Sequence, residues 1–127
     1  MPAYDRTFSP PAPVARVVVM HPVRRVRSEG IRGKLDTGAD LTVIPETLIA
    51  ELGLAIQGTV WARAFDGTYS ERLTYYARMV LAGNELPAVR CVATNRSTVL
   101  VGRNVLNLFL LTLDGPRLRF ELRQPRA

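Results

Sequence analysis

Leu35-Asp36-Thr37-Gly38-Ala39-Asp40-Leu41-Thr42-Val43-Ile44 sets an ionisable carboxylate in a turn between two apolar strands. Residues 31–35 run toward Asp36 as a short strand, and Leu41, Val43 and Ile44 resume apolar β-type character after it. The pattern predicts that Asp36 lies on an inward loop, where a lone charge is costly. Each neighbour has a steric or polar task. Thr37 can hydrogen-bond to backbone or across to a copy of itself, Gly38 lets backbone approach closely or take positive φ, and Ala39 leaves room for a neighbour.

A carboxylate in such a loop becomes a catalyst when a second one lies beside it. Two like charges about 3 Å apart cannot both ionise, so they share one proton and divide into acid and base. Residues 35–39 resemble the hydrophobic-Asp-Thr-Gly-Ala motif of aspartic proteases, in the Ala form typical of retroviral proteases (retropepsins) and their single-domain cellular relatives. Asp-Thr-Gly alone is weak evidence and fits an ordinary β-turn aspartate better. Length bears on the choice. The chain has 127 residues, enough for one domain with a real core and too few for two lobes each carrying such a loop. The other Asp turns, Asp66-Gly67-Thr68 and Asp114-Gly115-Pro116, have the wrong order. A second carboxylate must therefore come from a second copy of the chain.

Composition, with 47% hydrophobic and 22% charged residues, fits a soluble globular protein, and no apolar run approaches the ~20 residues a membrane helix needs. Met1 to Pro13 is Pro-rich without an apolar core, and it reads as a flexible or extended arm and not as a signal peptide. The single Cys91 cannot form an internal disulfide. Within an apolar run it reads as a small buried hydrophobe, which fits a reducing cytoplasm. One His and one Cys cannot build a zinc cluster, His21 beside Pro22 reads as a surface or strand-end residue, and no phosphate-binding glycine loop is present. No metal or cofactor is expected.

The net charge of +6 is carried almost wholly by Arg, since Lys34 is the one lysine among 17 basic residues. Arg24, Arg25, Arg27 and Arg32 form the densest group, and Arg117, Arg119, Arg123 and Arg126 stud the C-terminal end. Alternating Arg along a strand is usually its solvated face. No stacking platform of interleaved aromatics accompanies these charges, so nucleic acid is the least favoured partner.

Along the chain, residues 14–20 read as a strand and 24–30 as a basic bend. Pro45 opens a short helix with the stripe Leu48, Ile49 and Leu52, closed by Gly53. Residues 59–64 and 68–81 flank Phe65-Asp66-Gly67 as a hairpin. Gly83-Asn84 turns into a strand at 86–93, Asn95-Arg96-Ser97 turns again, and residues 98–101 form a buried strand. At Gly102 the spacing changes to helical.

The run of two apolar residues followed by Gly102-Arg103-Asn104 and the apolar pair Val105-Leu106 resembles the retropepsin signature that begins the C-terminal helix. The resemblance implies that Arg103 pairs with Asp40. It also makes the hairpin at 63–69 the counterpart of the flap that closes over substrate. The C-terminal end departs from the viral pattern, because residues 109–113 and 118–122 suggest an added hairpin.

The resemblance implies an all-β, single-domain retropepsin-like acid protease β-barrel with one or two short helices, working as a two-fold homodimer. Residues 1–13 would be the arm and 14–127 the protease domain. It implies an aspartic endopeptidase acting on peptide or protein substrates, away from membranes, in the cytoplasm. Two Asp36 carboxylates, one per subunit, would activate water, supported by Thr37 and Gly38. Gly38, Ala39, Asp40, Phe65, Asp66 and Gly67 would contact substrate, with Asp40 and Arg103 as a structural pair and side-chain pockets from Leu41, Ile44, Phe65 and Val101. Two other readings stay open: a catalytically silent dimeric peptide-binding module of the same fold, and an Arg-rich nucleic-acid-binding β-domain.

Overall fold

Alternation of buried and exposed residues builds the strands. In β1 (Val14–Met20), Ala15, Val17 and Val19 point inward while Arg16 faces solvent. The structure, a computed structural model, describes residues 1–64 and 66–125. After β1 come β2 (Ile31–Leu35), β3 (Thr42–Pro45), α1 (Glu46–Leu52), β4 (Ile56–Arg63), β5 (Tyr69–Leu81), β6 (Asn84–Thr94), β7 (Val99–Val101), α2 (Arg103–Leu106), β8 (Leu110–Asp114) and β9 (Arg119–Arg123).

Helix α1 begins directly after Pro45, which closes β3 and caps the helix. It buries Leu48, Ile49 and Leu52, and ends at Gly53, whose φ of 65° is the left-handed conformation glycine adopts without a Cβ penalty. The turn between β5 and β6 centres on Ala82 and Gly83, one residue earlier than expected. Both have positive φ, and Asn84 Nδ2 donates to the Leu81 and Ala82 carbonyls.

Seven strands form one sheet in the order β1-β2-β7-β3-β6-β5-β4, and an additional β1–β5 pairing rolls it into a barrel with β4 hanging from β5 as the outer arm of a hairpin. Strand β7 sits between β2 and β3, parallel to the first and antiparallel to the second, so the segments entering and leaving the Asp36 loop are separated by it. The interior is filled by Val17, Val19, Ile44, Met79, Leu81, Val99 and Val101, all essentially without solvent contact. Cys91 lies among them, and burial pushes its thiol up to about 12.

Residues 1–13, expected as a flexible arm, are instead laid against the body. Tyr4 N–H donates to the Leu118 carbonyl at 2.8 Å, Phe120 N–H donates to the Pro2 carbonyl at 3.0 Å, and the Tyr4 and Phe120 rings meet at 6.3 Å. Ala12 is buried, and the Pro13 carbonyl accepts from Leu35 N–H at 3.0 Å. The reason is that β9 pairs with β8 on one edge, and the first residues satisfy backbone groups on its other edge. The hairpin β8–β9, expected from the sequence, docks through the buried Phe120.

A buried polar knot locks the barrel where the loops cross. Thr42, fully buried, donates its hydroxyl to Asn104 Oδ1 at 2.9 Å and accepts from Gly102 N–H at 3.1 Å. Asn104 Oδ1 also accepts from Thr42 N–H at 3.0 Å, and its Nδ2 donates to the Arg90 carbonyl at 2.7 Å. Removing the hydroxyl in Thr42→Val strands the buried Gly102 N–H. The expected cost is about 1–3 kcal/mol in chemical denaturation at unchanged m-value.

Candidate active site

Asp36 follows the last residue of β2, and its own N–H donates to the Val101 carbonyl at 2.9 Å, which fixes the loop to β7. Gly38 N–H donates to Asp36 Oδ1 at 2.9 Å, and Ala39 N–H donates to the Asp36 carbonyl at 3.3 Å. A Cβ at Gly38 would lie 3.2 Å from Asp36 Oδ1, tighter than most such contacts, so glycine leaves room for the carboxylate. The loop is less enclosed than the sequence predicts. In the single chain Asp36 is half-buried while Thr37 and Gly38 are exposed, because apolar strands flank the turn without folding over it.

Arg103, the first residue of α2, reaches back to this loop. Its Nη2 donates to Asp40 Oδ1 and its Nη1 to the Thr37 carbonyl at 2.8 Å. Two backbone bonds reinforce the junction: Arg103 N–H to the Ala39 carbonyl at 2.8 Å and Asn104 N–H to the Asp40 carbonyl at 3.3 Å. The ion pair is open to solvent, with the Arg103 side chain 45% and the Asp40 side chain 85% exposed. In the single chain such a pair contributes at most about 1 kcal/mol, and its main effect is to hold the loop's geometry.

Beside the loop runs a cleft of about 560 Å³. Gly38, Ala39, Asp40, Leu41 and Val43 line one wall. Val60, Trp61, Ala62, Arg63, Tyr69 and Arg72 of the β4–β5 hairpin line the other. This volume suits a small ligand or a few peptide side chains. Of the four residues expected to form side-chain pockets, Leu41 lines the cleft. Ile44 and Val101 do not, since their inward positions on β3 and β7 bury them in the barrel core. Phe65 lies outside the described residues.

Asp66 and Gly67, expected to contact substrate, sit in the hairpin turn and are not among the residues lining the cleft. The turn is self-contained. Thr68 donates from its hydroxyl at 2.7 Å and its N–H at 3.0 Å to Asp66 Oδ1, and these bonds hold the Asp66 carboxyl below the ordinary carboxylate range. Gly67 takes φ 85° there, and its N–H donates to the Ala64 carbonyl at 3.0 Å.

Arg63 and Tyr69 bound the hairpin segment that the sequence marked as the flap counterpart, whereas Trp61 and Arg72, just outside it, are cleft residues that sequence reasoning missed. Their signal was an aromatic or charged side chain on each arm of the hairpin, Trp61 before the turn and Arg72 after it. On the other side of the Asp36 loop, a second hollow of about 550 Å³ is lined by Thr37, Arg103, Leu106, Asn107, Phe109, Leu110, Leu111 and Leu113. Leu110 and Leu113 there are about half exposed, as is Leu108 between Asn107 and Phe109.

Among solved structures, the chain is similar to a retropepsin-like aspartic protease from Rickettsia conorii, with 16% identity and a TM-score of 0.61 over 98% of this chain and 90% of that one. It is similar to EIAV protease complexed with the inhibitor HBY-793, at 17% identity and TM-score 0.57 over 76% and 86% of the two chains. The simian foamy virus (mac) protease gives 14% identity and TM-score 0.55 over 74% and 91%. At these identities the likeness establishes the retropepsin-like fold. Comparison with curated protein sequences finds no match. The sequence model of a family described as "gag-polyprotein putative aspartyl protease" matches residues 25–108, a span that holds both the Asp36 loop and Arg103, and the chain belongs to that family of aspartyl proteases.

Proposed function

We propose that the chain is an aspartic endopeptidase whose working form is a two-fold homodimer. The observation that carries this reading is the Asp36 carboxylate itself, held by Gly38 N–H in the loop whose next residues, Gly38 to Asp40, line the cleft, and present once per chain. A second copy related by a two-fold axis would bring its own Asp36 alongside. The apolar hollow around Leu110 and Leu113, which begins at Thr37, supports this approach from the side of α2 and β8.

With two Asp36 carboxylates sharing one proton, the charged one accepts a proton from a bound water as its oxygen attacks the peptide carbonyl. The protonated one donates to the carbonyl oxygen. The tetrahedral diol then collapses, its C–N bond breaking as the amide nitrogen takes a proton, without a covalent enzyme intermediate. Gly38, Ala39 and Asp40 would pair with an extended peptide from below. The β4–β5 hairpin, with Asp66 and Gly67 in its turn, would close from above and exclude water.

Several of the arginines that raised a nucleic-acid reading serve intrachain contacts instead. Arg32 binds Asp5 and Thr7, Arg117 binds Asp114, Arg123 binds Glu121, and Arg119 donates to the Met1 carbonyl. Arg126 lies outside the described residues. No helix among the described residues is long and apolar enough to cross a membrane. Residence in the cytoplasm belongs to the same proposal, supported by the lone, buried Cys91.

Asp36→Asn is expected to lower peptide cleavage by at least about 10³-fold while the melting temperature stays near that of the parent. If the variant cleaves normally, the proposal fails. If the parent binds peptides without cutting and binding survives the substitution, the silent module of the same fold is the better description. Cleavage per chain should fall on dilution in parallel with dimer dissociation followed by sedimentation, and constant activity in a monomer would refute the shared dyad. Rate against pH should form a bell with an acidic maximum, its two limbs belonging to the carboxylate pair. A rate rising steadily from pH 5 to pH 9 would exclude that chemistry.

A further inference from the structure

The charge of the cleft is unbalanced. Its charged lining residues are Asp40, Arg63 and Arg72, and Asp40 is engaged by Arg103. Among the described residues neither Arg63 nor Arg72 has a carboxylate partner. Arg72 is opposite Val60 in the hairpin register and reaches from β5 to the body, where its Nη2 donates to the Ala93 carbonyl of β6. That contact anchors one end of the guanidinium while its other N–H groups remain available. Arg63, opposite Tyr69, rests its guanidinium 5.9 Å from the centre of that ring. Glu71, adjacent to Arg72 in sequence, is not among the residues lining the cleft.

We propose that Arg72, assisted by Arg63, is a specificity determinant that selects peptides carrying an acidic side chain beside the bond held at the Asp36 loop. The inference rests on the protease reading for the path of the peptide, which enters extended along Gly38 to Asp40. An Asp or Glu side chain directed at the hairpin wall then meets a guanidinium prepositioned by Ala93 and forms a charge-assisted hydrogen bond. Leu41, Val43 and Val60 supply apolar contact next to it, so the preferred segment combines an acidic residue with apolar neighbours. A basic side chain at the same place would face two like charges and be rejected.

The test is binding, so that it stands apart from catalysis. Fluorescein-labelled ten-residue peptides, identical apart from Glu, Gln or Lys scanned through each position, are titrated against the full-length protein by anisotropy. Binding of the Glu peptide about tenfold tighter than its Gln isostere at one or two positions is expected, with the Lys peptide weakest. The Glu-to-Gln ratio should fall toward one in Arg72→Gln, persist in Arg72→Lys, and shrink with added salt in the parent. Equal affinity of the parent for Glu and Gln peptides at every position overturns the inference, as does failure of the parent to bind any of them. Selective binding without cleavage would leave the inference standing and overturn the protease reading instead. The parent's own Glu-to-Gln ratio decides the matter even if a variant fails to fold.

Discussion

The crossing at Thr42, Gly102 and Asn104 is the constraint on which the rest of the molecule depends. Three segments distant in sequence meet there: the exit of the Asp36 loop into β3, the end of β7, and the start of α2. Their backbone polar groups are removed from water and must find partners inside. Thr42 and Asn104 provide them through side chains that each donate and accept. Gly102 permits the approach, since a Cβ at that position would fall 2.6 Å from the Leu41 carbonyl carbon. The Val101 carbonyl, one residue before Gly102, receives the Asp36 N–H, so any shift of this junction moves the carboxylate.

Several arginines in this chain act as latches between segments. Arg103 spans from α2 to the carbonyl and carboxylate of the Asp36 loop, Arg90 reaches from β6 to the Thr59 carbonyl of β4, and Arg72 reaches from β5 to β6. The planar fork of donors suits this use, because one guanidinium can satisfy a carbonyl and a carboxylate together. A high isoelectric point is therefore compatible with a protein many of whose charges act within the fold. Exceptions are the cleft, where the hairpin arginines outnumber the carboxylates, and the bend carrying Arg24, Arg25 and Arg27.

Rigid and open parts are sharply divided. The barrel interior is packed with branched aliphatic side chains, whereas the Asp36 loop, the hairpin and the side chains of Leu108, Leu110 and Leu113 lie at the surface of the single chain. Exposed apolar side chains next to a half-buried carboxylate are costly to leave in water, and their position beside the loop suits a surface completed by another copy. A firm core beside an open site suits the proposed assembly of an active centre between two copies.

The sequence by itself determined much of the local structure. The run of residues 14–20 marked β1, and Pro45, the 48/49/52 stripe and Gly53 marked α1. Asp66-Gly67 marked the hairpin turn, and the residues around Asp36 and Arg103 carried the family resemblance. These signals are legible because they arise from neighbours in the chain, through side-chain direction, capping and backbone sterics. Only the tertiary structure decided which strands lie side by side, since backbone hydrogen bonds are indifferent to side-chain identity. The insertion of β7 between β2 and β3 left no local trace. For the same reason the arm at residues 1–13 looked free, although β9 offered an unpaired edge for it. Ile44 and Val101 looked like pocket residues because alternation shows which residues share a face and not what that face meets. Arg72 became a cleft residue only when β5 was laid against β4 and β6, which set its guanidinium between the hairpin and the body of the barrel.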